Sequence, residues 1–278
     1  MKLFSPAKLN LFFRVLDQRD DGFHEIATLM QAVSLGDILS FKISDSNQIF
    51  SSNPILPVDD RNSVFQALAL FRKKTGYQTP ITIHIEKKIP IEGGFGGGSS
   101  NSATTLWALN KISRKQIDEK ILSEWAGELS SDAPFFFSSG TAYATGRGET
   151  IQSLPPLQRG TLFLAKPKKG LSTPFVYQNH RLTLSSKSPH FLLQQALSGS
   201  IRGWNDLEKT AFFLDPTLKE LKKNLLALGF NMVSMTGSGS GFYCLGEVTN
   251  PSLPEVDFWK VHFLFRKREW YPSPFCES

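Results

Sequence analysis

The stretch Ile91–Ala103, IEGGFGGGSSNSA, sets five glycines (Gly93, Gly94, Gly96, Gly97 and Gly98) within six positions and then turns to serines. Glycine loses more backbone entropy on folding than any other residue, so a folded chain concentrates it only where Cβ atoms would obstruct. Ahead of it, ITIHIEK alternates, with Ile81, Ile83 and Ile85 on one face of a strand and Thr82 and His84 on the other. Beyond it, Ala103, Leu106, Trp107 and Asn110 recur at helical spacing, which puts Ser99 and Ser100 in a helix's first turn. Strand, glycine loop and helix start together describe an anion site. The first helical amides lack intrahelical partners, the macrodipole is positive there, and the serines add hydroxyls.

Three familiar nucleotide loops do not fit. No lysine follows the glycines as a P-loop requires, and the spacing misses Gly-x-Gly-x-x-Gly. The strand lysine and Asp-Phe-Gly of protein kinases are absent as well.

Elsewhere the chain mixes strands and helices without regular βαβ alternation, which predicts an α+β fold. Pro6 to Arg14 alternates as a strand, placing Lys8 and Asn10 on one face about 7 Å apart at ~3.3 Å per residue. DDRNSVFQALALFRKKTG reads as a helix capped by Asp60 or Asn62 and stopped by Gly76. A further helix is predicted from about Ile117 to Leu129, and another in TLKELKKNLLALGF, closed by Gly229. Short strands are predicted at Thr141–Ala144, Leu162–Ala165, NMVSM and FYCL, and VHFLF alternates near the end. SLPPLQRG is the most linker-like segment, and a second glycine cluster, TGSGSG, lies between NMVSM and FYCL.

The motifs identify a family by resemblance. Pro90 to Ser100 resembles the Pro-x-x-x-Gly-Leu-Gly-Gly-Gly-Ser-Ser loop of the GHMP kinases, named for galactokinase, homoserine, mevalonate and phosphomevalonate kinases. Within them, SPAKLNLFFRVLDQRDDGFHEIATLMQAVSLGD, SSDAPFFFSSGTAYATGRGE and MTGSGSGFY resemble, in order, the motifs of the 4-diphosphocytidyl-2-C-methyl-D-erythritol kinase family. The resemblance implies a ribosomal-protein-S5-like N-terminal domain at 1–152, which binds nucleotide, and a ferredoxin-like C-terminal domain at 153–278 on the substrate side. It implies ATP and Mg²⁺, and as substrate a small molecule, a cytidine diphosphate-linked methylerythritol. Another kinase of the superfamily, of homoserine or mevalonate type, and a nucleotide- or RNA-binding protein without catalysis on the same fold are the alternatives.

Carried over position by position, the resemblance makes Asp132 the base and Lys8 its electrostatic partner. Pro90, Gly93, Gly94, Gly96, Gly97, Gly98, Ser99 and Ser100 cradle the triphosphate, and Asn62 and Lys87 touch the adenine side. Asn10 is placed at the substrate's hydroxyls. Phe23, where tyrosine is usual, and Tyr177 sandwich the cytosine. His24 reads the base edge, Thr173 and Pro174 lead to the second ring, and Gly239 belongs to the loop facing the substrate's phosphates. No magnesium ligand is assigned beyond Ser99 or Ser100 as alternatives. The sequence departs from the pattern at Glu92, where glycine is common, and at Phe95, Ser130 and Ala133. A carboxylate beside phosphates is unfavourable unless its side chain turns away.

The bulk properties agree with a metabolic enzyme. A net charge of +6 suits an anionic partner, but the densest basic run, FRKREW, reads as a solvated face, and no nucleic-acid partner is expected. The start, MKLFSPAKLNLFF, is interrupted by Lys8 and Asn10 and makes a poor secretory signal, and no 18-residue apolar run suggests a membrane. Two cysteines without ligand spacing suit a reducing compartment, so the expected location is cytoplasmic.

Overall fold

A computed structural model describes residues 1–158, 160–182, 187–266 and 270–271. Cys276, Arg159 of the linker-like segment and the middle of the basic run lie outside the described residues. In chain order the first half comprises β1 (Lys2–Gln18), β2 (His24–Ile43), β3 (Gln48–Ser51), α1 (Ser63–Thr75) and β4 (Ile81–Glu86). It continues with α2 (Gly97–Ser113), α3 (Glu119–Leu129), a 3-10 turn at Ala133–Phe137, β5 (Thr141–Thr145) and β6 (Thr150–Ser153). The second half holds β7 (Thr161–Pro167), α4 (Thr173–Asn179), α5 (Pro189–Leu197), β8 (Trp204–Asn205) and α6 (Glu208–Leu214). It ends with α7 (Pro216–Ala227), β9 (Met232–Met235), β10 (Phe242–Leu245) and β11 (Val256–His262).

Two sheets result. The first runs β3-β4-β2-β1-β8, with β5 on β2 and β6 on β5; β3–β4 and β1–β8 are parallel pairs. The second is antiparallel, in the order β11-β7-β10-β9. The fold is α+β, as the irregular order of elements predicts. The expected boundary signals are present. Asn62 caps α1 by accepting the Val64 amide, and Gly76, with φ 69°, ends it in the left-handed region. α3 starts two residues later than its pattern suggests because the Asp118 carboxylate takes the Lys120 amide.

Three apolar clusters hold the layers together. One lies between the first sheet and α1–α3, around Phe71, Trp107, Phe135 and Phe136. Another lies between the two sheets, around Leu9, Leu29, Phe95 and Tyr243, and the third packs α4, α6 and α7 on the second sheet. Leu157 is buried in the middle cluster, so SLPPLQRG is fastened down rather than a free linker.

Helix α2 departs from its single predicted stripe: every residue from Ser100 to Asn110 is buried. Its polar side chains survive burial because each has a partner, as with Thr105 to the Asn101 carbonyl and Asn110 to Ile117. The fourth side of α2 is closed by Tyr271, whose ring stacks on Trp107 at 5.1 Å and whose hydroxyl pairs with Thr104. The same return of the chain corrects the reading of FRKREW as a solvated face at its described residues Arg266 and Trp270. Arg266 is buried on the Phe137 carbonyl and Glu119, and Trp270 joins the first cluster.

Candidate active site

The glycines of the loop answer to two neighbours. Gly94 has φ +74°, and a Cβ there would sit 2.2 Å from the Thr236 carbonyl oxygen, so the loop lies backbone-to-backbone on the TGSGSG turn. At Gly96, with φ +69°, a Cβ would meet the Lys8 side chain at 2.7 Å. The Phe95 carbonyl between them accepts the Lys8 amide at 2.9 Å. Gly96 caps α2 without a side-chain bond, leaving the first amides of a 17-residue helix for a ligand.

Lys8 reaches across this loop to the turn after α3. Its ammonium lies 2.9 Å from Asp132 Oδ2, with the lysine 3% and the aspartate 31% exposed, so the carboxylate is the member open to solvent. The two residues are more than a hundred positions apart, and β1 and the α3 turn bring them together. Lys8 also donates to Asn10 Oδ1 at 2.7 Å, while Asn10 Nδ2 donates to Thr28 Oγ1. Asn10 is thus buried behind Lys8 and does not reach the cavity wall expected of a residue holding substrate hydroxyls.

Around the ion pair opens a cavity of about 1030 Å³. One arm carries the glycine loop from Pro90 to Ser99, together with Asn62 and Lys87. The other carries Phe23, His24, Thr173, Pro174 and Tyr177. Ser100 and Gly239 are not part of the wall. The Ser100 hydroxyl is buried against Ser5 Oγ at 2.7 Å, and the Gly239 amide is spent on the Thr236 carbonyl. Asn62 and Lys87 line the glycine-loop side of the cavity with side chains already engaged. Asn62 caps α1, and the Lys87 ammonium pairs with Asp37 Oδ2 at 2.9 Å and bonds the Ile89 carbonyl.

The second arm is aromatic. The His24 and Tyr177 rings lie 5.2 Å apart, Tyr177 coming from α4, which Thr173 ties to Ser238 at 2.6 Å. Phe23 is half exposed, with the Arg147 guanidinium 4.7 Å from its ring centre. Burial, then the charge of Asp132, keeps the Tyr177 phenol protonated well above its ordinary range. Sequence reasoning missed Arg147, His180 and Arg61, all on the cavity wall; Arg147 sits in the quoted GRGE motif, whereas nothing in the spacing of His180 and Arg61 distinguishes them from surface residues. The Glu92 side chain packs against Gly170. Burial lowers the pKa of Lys166, with the charge of Glu92 opposing it.

The histidines make the site acid-sensitive. His24 and His180 stand 6.2 Å apart. Burial lowers the pKa of His24; burial and then His24 lower that of His180 against the pull of Asp206. The unfolded rings therefore take up protons first. Their contribution is fully present above about pH 6.5 and is lost as pH falls through the depressed folded values. Urea unfolding is expected to show lower stability at about pH 5 than at about pH 7.5, with His180→Asn narrowing the difference.

A description of GHMP kinases, N-terminal domain, matches residues 62–140, which span α1, the glycine loop and the Asp132 turn. The chain is 43% identical to the 4-diphosphocytidyl-2-C-methyl-D-erythritol kinase of Protochlamydia amoebophila strain UWE25, over 98% of this chain and 93% of that one. A crystal structure of 4-(cytidine 5'-diphospho)-2C-methyl-D-erythritol kinase superposes with a TM-score of 0.79 at 32% identity, covering 95% of this chain and 99% of that one. Homoserine kinase from Cytophaga hutchinsonii shares the fold at 18% identity, with a TM-score of 0.70 and 95% of each chain covered. Fold and cavity thus define a two-domain GHMP kinase. Within that class the chain belongs to the 4-diphosphocytidyl-2-C-methyl-D-erythritol kinase family.

Proposed function

We propose that the chain transfers the γ-phosphoryl group of ATP to the 2-hydroxyl of 4-diphosphocytidyl-2-C-methyl-D-erythritol, a step in the non-mevalonate synthesis of isoprenoids. The observation that carries this reading is the Lys8–Asp132 pair, which faces the same cavity as the open start of α2 and the His24–Tyr177 rings. Asp132 accepts the hydroxyl proton as the oxygen attacks the γ-phosphorus, the β–γ bridge breaks and ADP leaves. The Lys8 ammonium, 2.9 Å from Asp132 Oδ2, stabilises charge on the attacking oxygen. The amides of Gly97, Gly98 and Ser99 take the phosphate oxygens of ATP.

Mg²⁺ fits as an ion held by phosphate and water, with Ser99 Oγ the hard donor that the helix start offers to the cavity. Among the described residues no group of three or more His, Cys, Asp or Glu side chains assembles that could hold a metal. When bound, the ion neutralises the β- and γ-phosphates. Residues 1–152 form the nucleotide side and 153–278 the substrate side, with Phe23 and His24 crossing over from β2's approach to meet Tyr177. Among the described residues no helix is long and apolar enough to cross a membrane; we place the enzyme in the cytoplasm.

The test is ADP release with the cytidylylated diol, homoserine and mevalonate as competing acceptors. Only the first is expected to support turnover, and equal rates with an acceptor lacking cytidine would favour the homoserine or mevalonate reading. Phe23→Ala and Tyr177→Ala are each expected to raise KM for the diol, by a factor matching a stacking loss of about 1–3 kcal/mol, with KM for ATP unchanged.

A further inference from the structure

Besides the Lys8–Asp132 pair, a second contact joins the phosphate cradle to the turn that bears Asp132. Ser99 Oγ and Ser130 Oγ lie 2.7 Å apart, and both residues line the cavity. Ser99 stands in the first turn of α2. Ser130 is the C-cap of α3, its amide bonded to the Ala126 carbonyl and its own carbonyl accepting the Ala133 amide. The backbone at Ser130 is extended, with φ −162° and ψ 147°, a conformation open to any residue. Nothing in the main chain there calls for a small residue or for a particular side chain. What the serine adds is its hydroxyl, and the bond recorded for that hydroxyl is the one to Ser99.

We propose that Ser130 is a positioning residue for nucleotide binding, acting through Ser99; the inference rests on reading the start of α2 as the ATP phosphate site. A serine in the first turn of a helix can rotate its hydroxyl among three staggered wells. The bond to Ser130 selects one of them. It occupies one of the hydrogen-bonding positions of the Ser99 oxygen and leaves the others for a phosphate oxygen, or for the metal that would accompany it. With the Lys8–Asp132 pair, the contact gives the cradle and the Asp132 turn a second tie, so the nucleotide meets a site already set.

The experiment is a double-mutant cycle read by equilibrium binding of Mg-ATP without acceptor, and separately by steady-state kinetics. Ser130→Ala is expected to weaken ATP binding about fivefold, the scale of one neutral hydrogen bond, and to raise KM for ATP with KM for the acceptor unchanged. Ser130→Thr, which keeps the hydroxyl on a backbone suited to β-branched residues, is expected to restore binding. In a Ser99→Ala background, Ser130→Ala is expected to have no further effect, because its action passes through Ser99. Additive losses would mean that Ser130 touches the ligand on its own account, and unchanged binding in Ser130→Ala would mean that it does nothing; either overturns the proposal. If no acceptor is phosphorylated while the binding cycle behaves as described, the proposed function falls and the role of Ser130 stands.

Discussion

Asp132→Asn is expected to lower turnover by about 10²–10⁴-fold while leaving the affinity for ATP within about twofold, measured by single-turnover phosphoryl transfer and by equilibrium nucleotide binding. The substitution is nearly isosteric and removes the capacity to accept the proton of an attacking hydroxyl, together with the negative charge opposite Lys8. On the proposed reading the nucleotide is gripped elsewhere, by backbone amides at the start of α2, which the change does not reach. Lys8 keeps Asn10 Oδ1 as a partner at 2.7 Å, so its ammonium is not left without an acceptor. A collapse of both turnover and ATP binding would indicate a disturbed fold. Turnover within about tenfold of the parent would remove Asp132 from the mechanism. The non-catalytic alternative makes a different forecast, since a mere nucleotide binder has no turnover to lose.

Much of this site was legible in the chain because its signals are local. The alternation of Ile81, Ile83 and Ile85, the glycine run and the serines after it lie within about 20 residues and obey helix and strand chemistry that needs no tertiary context. Gly76 sits where the α1 pattern stops, and of the two candidate caps, Asp60 and Asn62, the structure uses Asn62. What spacing could not supply were the contacts made across the fold. The approach of Lys8 to Asp132 came only from resemblance. The two-residue strand β8, which pairs beside Phe12 and Phe13, has too little sequence for a period.

Residue type does not show which polar side chains also serve the scaffold. Asn10, Ser100 and Lys87 hold Lys8, Ser5 and Asp37, and of the three Lys87 also lines the cavity. A polar group inside a protein needs a partner whether or not a ligand ever arrives, so composition alone does not separate the two uses. Asp37 is the converse case. It closes the stretch SLGD without any local sign of importance, and five hydrogen bonds converge on it.

Those five bonds make Asp37→Ala the substitution with the largest expected cost to the folded state, about 3–5 kcal/mol by urea unfolding. Asp37 Oδ1 accepts the amides of Lys88 and Ile89 at 2.7 and 2.8 Å, just where β4 runs into the glycine loop. Oδ2 accepts Asn101 Nδ2 at 2.9 Å, in the first part of α2 where the loop ends. One carboxylate thus pins both ends of the cradle, and the Lys87 ammonium, 5% exposed, balances its charge. Removing the carboxylate leaves that ammonium buried without a counter-charge and orphans two amides. Burial already lowers the pKa of Lys87 against the influence of Asp37, so the variant pushes the lysine further toward its neutral form. The two consequences separate in the double variant Asp37→Ala/Lys87→Met. Stability is expected to recover by more than half, because the stranded charge is gone. ATP binding is expected to stay about tenfold or more weaker, because the amides of Lys88 and Ile89 still have nothing to hold them. Full recovery of nucleotide affinity in the double variant would show that Asp37 serves only to neutralise Lys87, and that the glycine loop keeps its shape without it.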